Sequence, residues 1–466
     1  MSIINNALTG AAASQIALNT VSQNIANLMT PGYTRQGTLM VSQRATQAGQ
    51  VSPGDGVKVP SLIRFSDSYK SQQMWQAASE LSQRSIPQPY LTQLEQVMGD
   101  DESSINSGLD GFFGALNAAS VEPTSLPLRQ QVITAAEALA QRFNSLNQVL
   151  SNQQASISQQ RISTIDQINS VSKSIAELNN DIAIAQATGT NASSLIDARD
   201  QKIDALASLV AVQVVEQPDG TRSVSLRDGQ PLVVGSRSST LSVQANPDGS
   251  QTLKLAFSAE SFTITSTRLG GQLGGLDDYE RDVLNPLRQS VSDLAGSVAE
   301  KVNTQLAAGY TMSGATPTPA PPNGPMFTFD ASGSSGVLRV VDGVLAADLA
   351  FSSDPTKPGN SDNLLKVIDV KNLSVTVGSL GSVRMGDANT QMVGRLAMQS
   401  QQNQASLATA ETVRNQSEES WKSTSGVNQD EEAVSLMQYQ QMYQANLKVI
   451  AVANQLFDST LAMMAG

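Results

Sequence analysis

Cysteine and histidine are both absent from this chain of 466 residues, and aromatic residues make up only 4% of it. Without cysteine no disulfide or thiolate nucleophile can form, and without histidine the commonest general base and metal ligand is missing. The 41 acidic and 29 basic side chains give a formal net charge of −12, the wrong sign for following a phosphate backbone. These absences exclude most enzyme classes, argue against a nucleic-acid partner, and favour assembly over catalysis.

Long hydrophobic runs are missing too. No stretch of the sequence approaches the roughly 20 apolar residues that span a bilayer, so we expect no membrane span. The first 28 residues contain no Lys or Arg of the kind that opens a secretory signal. We therefore expect a protein that is cytosolic or that leaves the cell without a cleaved signal, with two to four domains.

The N-terminal segment has the spacing of an amphipathic helix. Small and apolar residues recur every seven positions in two lines, which predicts a helical seam ending near residue 28. The turn at Thr30, Pro31 and Gly32 stops this helix, because Pro-Gly fits the centre of a type II turn. The two lines are Ile4, Ala11, Leu18 and Ile25, and Ala7, Ser14, Val21 and Leu28.

The C-terminal segment predicts a second long amphipathic helix. Asn428 can cap its first turn, and Asp430, Glu431 and Glu432 lie near the positive end of its dipole, which would explain the acidic run locally. Both terminal helices have few large apolar residues, so we expect them to need partners and to be mobile in the free subunit. The expected seam residues are Leu436, Tyr439, Tyr443, Ile450, Phe457 and Met464.

Between the two ends, helical spacing alternates with one region of strand spacing. We expect an interruption of the helical pattern at 188–191, turns at 218–220, 228–229 and 247–249 within the strand region, and a return to helix at 277–307. We expect an α+β fold, mainly α, with coiled-coil-like paired terminal helices, a long helical bundle domain and an inserted small antiparallel β domain. The expected boundaries are 1–33 and 427–466 for the terminal pair, 34–209, 268–315 and 326–426 for a helical rod domain, 210–267 for the β domain, and 316–325 for a Pro-rich loop.

Few features suggest chemistry. The glycine-rich run 270–275 lacks the Lys-Ser/Thr of a phosphate-binding loop, which favours a turn or hinge. The acidic pairs at 277–278 and 100–102 lack the spacing of metal ligands. Trp75 and Trp421 are more simply explained as core or domain contacts than as a ligand pocket. We therefore expect no catalytic residue, no cofactor and no metal site.

The run from residue 26 to residue 36 resembles the N-terminal signature of bacterial flagellar axial proteins, and its Arg-Gln ending is similar to the hook-associated protein 1 family. Residues 426–446 are similar to the C-terminal part of the same family. Internal motifs at 127–130 and 196–200 follow the family's order, so the resemblance covers nearly the whole chain. The motif residues are Asn27, Thr30, Pro31, Gly32, Tyr33, Arg35, Gln36, Asn428, Asp430, Glu431 and Glu432.

The resemblance implies a structural subunit, not an enzyme, at the hook–filament junction of the bacterial flagellum, needed for filament assembly on the hook. It implies export through the flagellar type III apparatus, with a cytoplasmic stage before export and an extracellular location after it. The implied partners are hook protein, a second hook-associated (junction) protein, copies of the chain in a ring, and a cytoplasmic export chaperone bound through the C-terminal helix. In the family the paired terminal helices form an inner tube, so the seam residues are the expected assembly interface.

Two other functions stay open at this point. Hook or distal-rod protein shares much of the terminal pattern, although Arg35-Gln36 and the acidic run at 430–432 favour the junction protein. A secreted helical adhesin is the alternative from a different class, but the sequence shows neither repeats nor an aromatic ligand face.

Overall fold

The structure is a computed structural model that describes residues 2–44, 54–100, 104–246, 251–264, 268–317, 325–332 and 336–465. The expected turn at 247–249, the acidic residues 101 and 102, and residues 318–324 of the Pro-rich loop lie outside these ranges.

The fold is mainly helical with small antiparallel sheets, which confirms the expected class. The helices are α1 (Ser2–Ala26), α2 (Ser68–Ser85), α3 (Pro87–Gly99), α4 (Ile105–Val121), α5 (Leu126–Ala187), α6 (Ser193–Leu209), α7 (Gly271–Tyr279), α8 (Asn285–Ala307), α9 (Asp362–Asp369), α10 (Met385–Ser425) and α11 (Gln429–Ala465). The strands are β1 (Gln36–Ser42), β2 (Val57–Arg64), β3 (Val212–Glu216), β4 (Arg222–Leu226), β5 (Pro231–Val234), β6 (Arg237–Ser238), β7 (Thr240–Ala245), β8 (Gln251–Phe257), β9 (Glu260–Ile264), β10 (Phe327–Phe329), β11 (Leu338–Val340), β12 (Ser374–Val377) and β13 (Gly381–Arg384).

Every strand pairs with a neighbour in sequence. Strands β1 and β2 form a hairpin, β3 to β6 form a four-stranded sheet in chain order, and β7 to β9 form a three-stranded sheet. The turns expected at Gly220 and Gly229 are present, and both glycines have positive φ, 75° and 91°. Only glycine adopts this backbone conformation without a steric cost.

The described residues form two large hydrophobic cores and a small third cluster around Ile182. The larger core joins α3, α4, α5, α8 and α10 with the short strands β10 to β13, and Phe112 meets Phe113 and Phe327 edge to face within it. The second core contains Trp75 of α2, the C-terminal half of α5, α6 and the strands β3 to β9. The four-stranded sheet (β3 to β6) and the three-stranded sheet (β7 to β9) therefore pack on helices and share one core with α5 and α6.

Arg129, in one of the internal motifs, is fully buried at the start of α5. Its guanidinium donates hydrogen bonds to the carbonyls of Pro123, Ala346 and Leu349, at 2.5, 3.1 and 2.7 Å, and lies 4.4 Å from the ring centre of Phe351. Burial lowers the pKa of Arg129 to about 10. The side chain thus joins two loops to the helix start through backbone acceptors.

The glycine-rich run differs from the expected turn or hinge. Gly270 and Gly271 do make a turn, and each has a φ of 59°. Helix α7 begins at Gly271, however, which is six residues before the expected helix start at residue 277. A Cβ on Gly275 would lie 2.6 Å from the carbonyl oxygen of Gln83 in α2. Glycine at this position therefore permits close packing of α7 on α2. A π-helical turn, Glu280–Leu284, then connects α7 to α8.

Among the helices in the described ranges, none is both long and apolar enough to cross a membrane. Within the same ranges, acidic side chains form no group of three or more with the geometry to hold a metal ion.

Candidate assembly site at the paired terminal helices

Helices α1 and α11 pack antiparallel, which confirms that the two chain ends pair. Asn24 Nδ2 donates a hydrogen bond to Glu432 Oε2 at 3.1 Å, and a Cβ on Gly10 would lie 2.6 Å from Oδ1 of Asn446. From the first contact to the second, the position in α1 moves back by fourteen residues and the position in α11 moves forward by fourteen, as antiparallel helices require. The start of α1 therefore lies near residue 454. Beyond it, α11 continues for about 16 Å at 1.5 Å per residue.

Small and polar residues form the buried face of α1. Most of these side chains are Ala, Ser or Thr, so the backbones of α1 and its neighbours approach closely and little apolar area is buried. The buried positions are Ala7, Ala11, Ala13, Ser14, Ala17, Thr20, Val21 and Asn24. This face matches the expected line through residues 7, 14 and 21.

Many large apolar residues of both helices are exposed. On α11, every described side chain from 454 to 464 is exposed, including Phe457 at 63% and Met464 at 82%. An isolated subunit rarely leaves so many large apolar side chains in water unless they serve an interface. The exposed residues are Ile3, Leu8, Ile16 and Ile25 of α1, and Val434, Met437, Met442, Leu447, Val449, Val452, Leu456, Phe457, Leu461, Met463 and Met464 of α11.

The expected seam residues are thus divided between two surfaces. Ala11, Val21 and the other small positions are buried inside the subunit, whereas Ile25, Phe457 and Met464 are exposed. The half-buried members are Ile4, Leu18, Leu28, Leu436, Tyr439, Tyr443 and Ile450. The heptad pattern identified the helices, but it did not separate the residues that pair α1 with α11 from those that face outward.

The hairpin β1–β2 lies alongside α1. Asn24 bonds to both backbone groups of Gln36, accepting from its N–H at 3.1 Å and donating to its carbonyl at 2.8 Å. Near the other end of α1, the N–H of Val57 donates to Thr9 Oγ1 at 3.3 Å, and Asn6 Nδ2 donates to the carbonyl of Gly54 at 3.3 Å. Helix α1 therefore packs against both α11 and the hairpin.

A polar cluster joins the two chain ends where α1, the hairpin and α11 meet. Arg35 Nη1 lies 2.6 Å from Glu431 Oε2, and Arg35 Nε lies 2.7 Å from Glu432 Oε1. The Glu432 side chain is only 2% exposed. We call Asn24, Tyr33, Arg35, Gln36 and Glu432 the terminal clasp. Buried charges are tolerated when they are paired and hydrogen-bonded, as Glu432 is by Arg35 and Asn24.

The clasp corrects the local explanation of the acidic run at the start of α11. Asn428 Oδ1 does accept a hydrogen bond from the N–H of Asp430 at 2.9 Å, so it caps the helix. Asp430 and Glu431 are exposed, as side chains near a helix N-terminus usually are. Glu432 is buried instead and bonds across to the N-terminal segment, so the helix dipole alone does not account for it.

Tyr33 completes the clasp from the signature turn. Its hydroxyl donates to Asn24 Oδ1 at 2.9 Å. Burial, together with the negative charges of Asp197 and Glu432, raises the pKa of Tyr33 to about 12. The hydroxyl therefore stays protonated at neutral pH and keeps its hydrogen bond.

The signature turn has the expected type II geometry. The N–H of Tyr33 donates to the carbonyl of Thr30 at 3.2 Å, and Gly32 has a φ of 71°. Asn27 Oδ1 accepts from the Thr30 hydroxyl at 3.1 Å, and the carbonyl of Pro31 accepts from the side chain of Gln201 in α6. The turn is thus anchored to the helical body.

The internal motif at 196–200 connects the clasp to the sheets. Asp197 accepts from the N–H of Thr34 at 3.1 Å and from Arg64 Nε at 3.0 Å. Arg199 donates to the carbonyl of Gly220 at 2.7 Å, and burial lowers the pKa of Arg199 to about 10. Arg222 Nη1 lies 2.5 Å from Asp200 Oδ1. Charged residues therefore join the hairpin, α6 and the four-stranded sheet.

Sequence reasoning missed Asn24, Arg64 and Asp197 as contributors to this site. Asn24 lies three positions after Val21, about one helical turn along the same buried face of α1, and an amide at that spacing is the signal that could have identified it. Arg64 gave no local signal, because its partners Asp197 and Asp200 lie far along the chain.

The geometry supports binding between helices and gives no sign of catalysis. Asp277, one of the carboxylates considered for acid–base chemistry, pairs with Arg161 Nη2 at 3.0 Å. Burial raises the pKa of Asp277 above its ordinary value, with the charge of Arg161 acting in the opposite direction. The fold and site are those of a structural protein whose N-terminal helix packs against its long C-terminal helix.

Comparison with known proteins identifies the family. Residues 91–320 match the family described as "Flagellar hook-associated protein FlgK helical domain", residues 423–463 match "Flagellar basal body rod FlgEFG protein C-terminal", and residues 4–34 match "Flagella basal body rod protein". The chain belongs to the flagellar hook-associated protein 1 (FlgK) family and is a structural, non-enzymatic component of the extracellular flagellum at the hook–filament junction.

Individual relatives agree over the full length. The chain is 27% identical to flagellar hook-associated protein 1 of Escherichia coli K12, covering 99% of both chains, and 26% identical to that of Bacillus subtilis 168, covering 96% of this chain and 95% of the other. The solved flagellar hook junction protein FlgK from Burkholderia pseudomallei is 30% identical, with a TM-score of 0.51 over 56% of this chain and 47% of that one.

Proposed function

We propose that the chain forms a ring of identical subunits at the hook–filament junction, held together by the outward apolar surface of α1 and α11. The observation that carries this proposal is the division of α1 into a small-residue buried face and an outer face with large apolar side chains, together with the many exposed large apolar side chains of α11. Packing between helices of neighbouring subunits covers the outer face. Each large side chain that becomes fully buried contributes about 1.5–3 kcal/mol.

The domain arrangement follows from the same division. In this proposal residues 1–33 and 427–466 form the inner tube, and the helical rod segments 34–209, 268–315 and 326–426 project outward with the β domain at 210–267. The clasp and the Asp197–Arg64 ion pair fix the inner pair to the outer body, so the orientation of one determines that of the other.

The proposed partners follow from position at the junction. Hook protein lies on one side of the ring and a second junction protein on the other. Before export, a cytoplasmic chaperone covers the C-terminal helix, where the exposed apolar residues are concentrated. Export through the type III apparatus precedes pairing of α1 with α11, because an apolar surface without partners favours disorder before assembly.

Deletion of the gene tests this function. We expect cells with hooks but without filaments, with flagellin released into the medium, and recovery on complementation with the intact sequence. Electron microscopy of the cells and analysis of the medium give the readouts. Loss of hooks as well would assign the chain to hook or rod, and normal filaments would refute the flagellar assembly role.

A further inference from the structure

The only two tryptophans of this aromatic-poor chain lie in one crevice. The crevice has a volume of about 520 Å³ and lies between the signature turn, α2, α6 and the end of α10. Its size is within the range of about 300–1,000 Å³ that ligand pockets have. Its apolar lining includes Leu28, Met29, Tyr33, Met74, Trp75 and Trp421.

The walls of the crevice are held in place by polar contacts. Arg414 of α10 makes two bonds of 2.8 Å to the carboxylate of Asp204 in α6, and a third of 2.6 Å to the carbonyl of Met74 in α2. Lys70 Nζ of α2 donates to Thr424 Oγ1 at 2.6 Å. The cavity is therefore preformed, which lowers the entropic cost of filling it.

One wall is open to solvent. Met29 is 89% exposed at the rim, although Trp and Met side chains are the kind that interfaces bury. Among the described residues, nothing covers Met29. The crevice is located where α1 ends and α11 begins, and the exposed end of α11 lies at the other end of the same helix pair.

We propose that the crevice receives the apolar C-terminal helix end of the axial protein stacked next to the ring, a helix of the same module as residues 423–463 of this chain, whose own end therefore serves as the probe. In a head-to-tail arrangement of helix pairs, the end of α11 that continues past α1 points toward the crevice end of the next pair. Such heterologous contacts are the ones that build extended assemblies.

The chemistry of this helix end fits the cavity. Residues 455–465 of this chain contain a single charged residue, Asp458, and carry Leu456, Phe457, Leu461 and two methionines. Because residues 423–463 match a module described for basal body rod FlgEFG proteins, axial neighbours with that module present an equivalent end. The inference rests on the proposed function for the source of the neighbour, but docking is measurable on the purified chain.

A peptide titration tests the docking directly. The probe is a synthetic peptide of residues 450–466, which contains no Trp, so any change in tryptophan emission arises from Trp75 and Trp421 of the full chain, and both line the crevice. We expect a saturable shift of emission to shorter wavelength. A peptide with Phe457→Asp and Leu461→Asp should give no shift, and the Met29→Asp variant should bind the natural peptide at least about tenfold more weakly.

The variant has a matched control. Val121 is 80% exposed in α4, away from the crevice, so Val121→Asp introduces the same charge on an exposed apolar side chain and should leave peptide affinity unchanged. No shift with the natural peptide, or equal shifts with both peptides, would overturn the docking.

A photo-crosslinking side chain at Met29 then identifies the occupant in intact flagella. We expect cross-links to the C-terminal helix end of an axial subunit; cross-links to any other segment would refute this inference. The two proposals fail separately. If deletion of the gene removes filaments but the peptide does not bind, the docking alone is wrong, and if the peptide binds but filaments persist, the flagellar function is wrong.

Discussion

Arg35 Nε lies 2.7 Å from Glu432 Oε1, an ion pair between residues from opposite ends of the chain. Arg35 is also tied to α10, because its backbone N–H donates to the carbonyl of Ser425 at 2.8 Å. Its guanidinium lies 5.2 Å from the ring centre of Phe65. One residue of the signature thus contacts the hairpin, the end of α10 and the start of α11, so the terminal pair and the outer body are positioned together.

Removal of Glu432 should weaken the terminal pair. Glu432→Ala removes one of the two acceptors of the Asn24 amide, the other being the carbonyl of Gln36, and leaves Arg35 with the exposed Glu431 as its carboxylate partner. We expect the free energy of unfolding to fall by about 3 kcal/mol, which is the lower end of the range for removing one partner of a buried ion pair. Hydrogen exchange in α1 and the first half of α11 should accelerate, while α5 is unchanged. Glu431→Ala is the control and should cost less than about 1 kcal/mol; equal effects of the two variants would contradict a special role for Glu432.

The close approach at Gly10 predicts a coupled pair of mutations. Gly10→Ala brings a Cβ to 2.6 Å from Asn446 Oδ1, and the Asn446 side chain is held by its own bond to the carbonyl of Met442 at 2.9 Å. The single change should therefore destabilise the helix pair. In an Asn446→Ala background the same change should stabilise it by up to about 1 kcal/mol through helix propensity.

A double-mutant cycle measures this coupling from thermal or denaturant unfolding. We expect an interaction energy of about 0.5–3 kcal/mol, the range for residues in contact. Additive effects would mean that Gly10 and Asn446 do not touch.

A charge on the half-buried seam should block assembly without unfolding the outer body. Ile450→Asp places a carboxylate on the half-buried side of α11, where the natural side chain is apolar. We expect no incorporation into flagella, with an unchanged thermal transition of the main helical core. Leu345→Asp, a change at an exposed apolar residue far from α11 in sequence, is the control. Normal assembly of Ile450→Asp would show that the seam assignment is wrong.

Tyr33 predicts an alkaline sensitivity of the clasp. Its pKa is raised from 10.0 to about 12, so the folded protein keeps the phenolic proton where the unfolded chain loses it. The stabilisation that depends on this proton is complete below pH 10 and is lost as the pH rises toward 12. Tyr33→Phe should therefore lose less stability than the natural protein across this window. Parallel stability curves for the two proteins between pH 10 and 12 would contradict the assignment.

Gly275 and Gly111 offer a matched pair of glycine substitutions. Gly275→Ala places a Cβ 2.6 Å from the carbonyl of Gln83, so α7 must move away from α2, at a cost of about 1–3 kcal/mol. Gly111 lies within α4 with nothing within 4 Å of a Cβ, so Gly111→Ala should stabilise the protein by about 0.5–1 kcal/mol. Opposite shifts of the unfolding midpoint are the expected result.

Local patterns in the sequence predicted most helices and the strand region, because spacing and turn residues act over a few positions. The interruption between α5 and α6 and the type II turn at Pro31 and Gly32 are examples. The start of α7 was placed six residues late, because a glycine run has low helix propensity. The close contact of Gly275 with the carbonyl of Gln83 explains why glycine occupies that position of the helix.

For the site, the sequence indicated the terminal motifs but not the bonds between them. It placed Glu432 in a local dipole interaction, whereas the structure pairs it with Arg35 and Asn24. It treated Trp75 and Trp421 separately, although both line one crevice. Such pairings join residues hundreds of positions apart, and no short-range pattern records them.

By itself, the sequence determined the class of the protein: two amphipathic ends, a helical body, an absence of nucleophile and metal chemistry, and the signature of a flagellar axial subunit. These properties depend on composition and on spacing along the chain. Only the tertiary structure decided which side of each terminal helix faces inward, because the small residues of α1 permit its close pairing with α11 while many of the large apolar residues are exposed. It also decided that Arg35 and Glu432 meet, since that contact depends on the register of two helices at opposite ends of the chain.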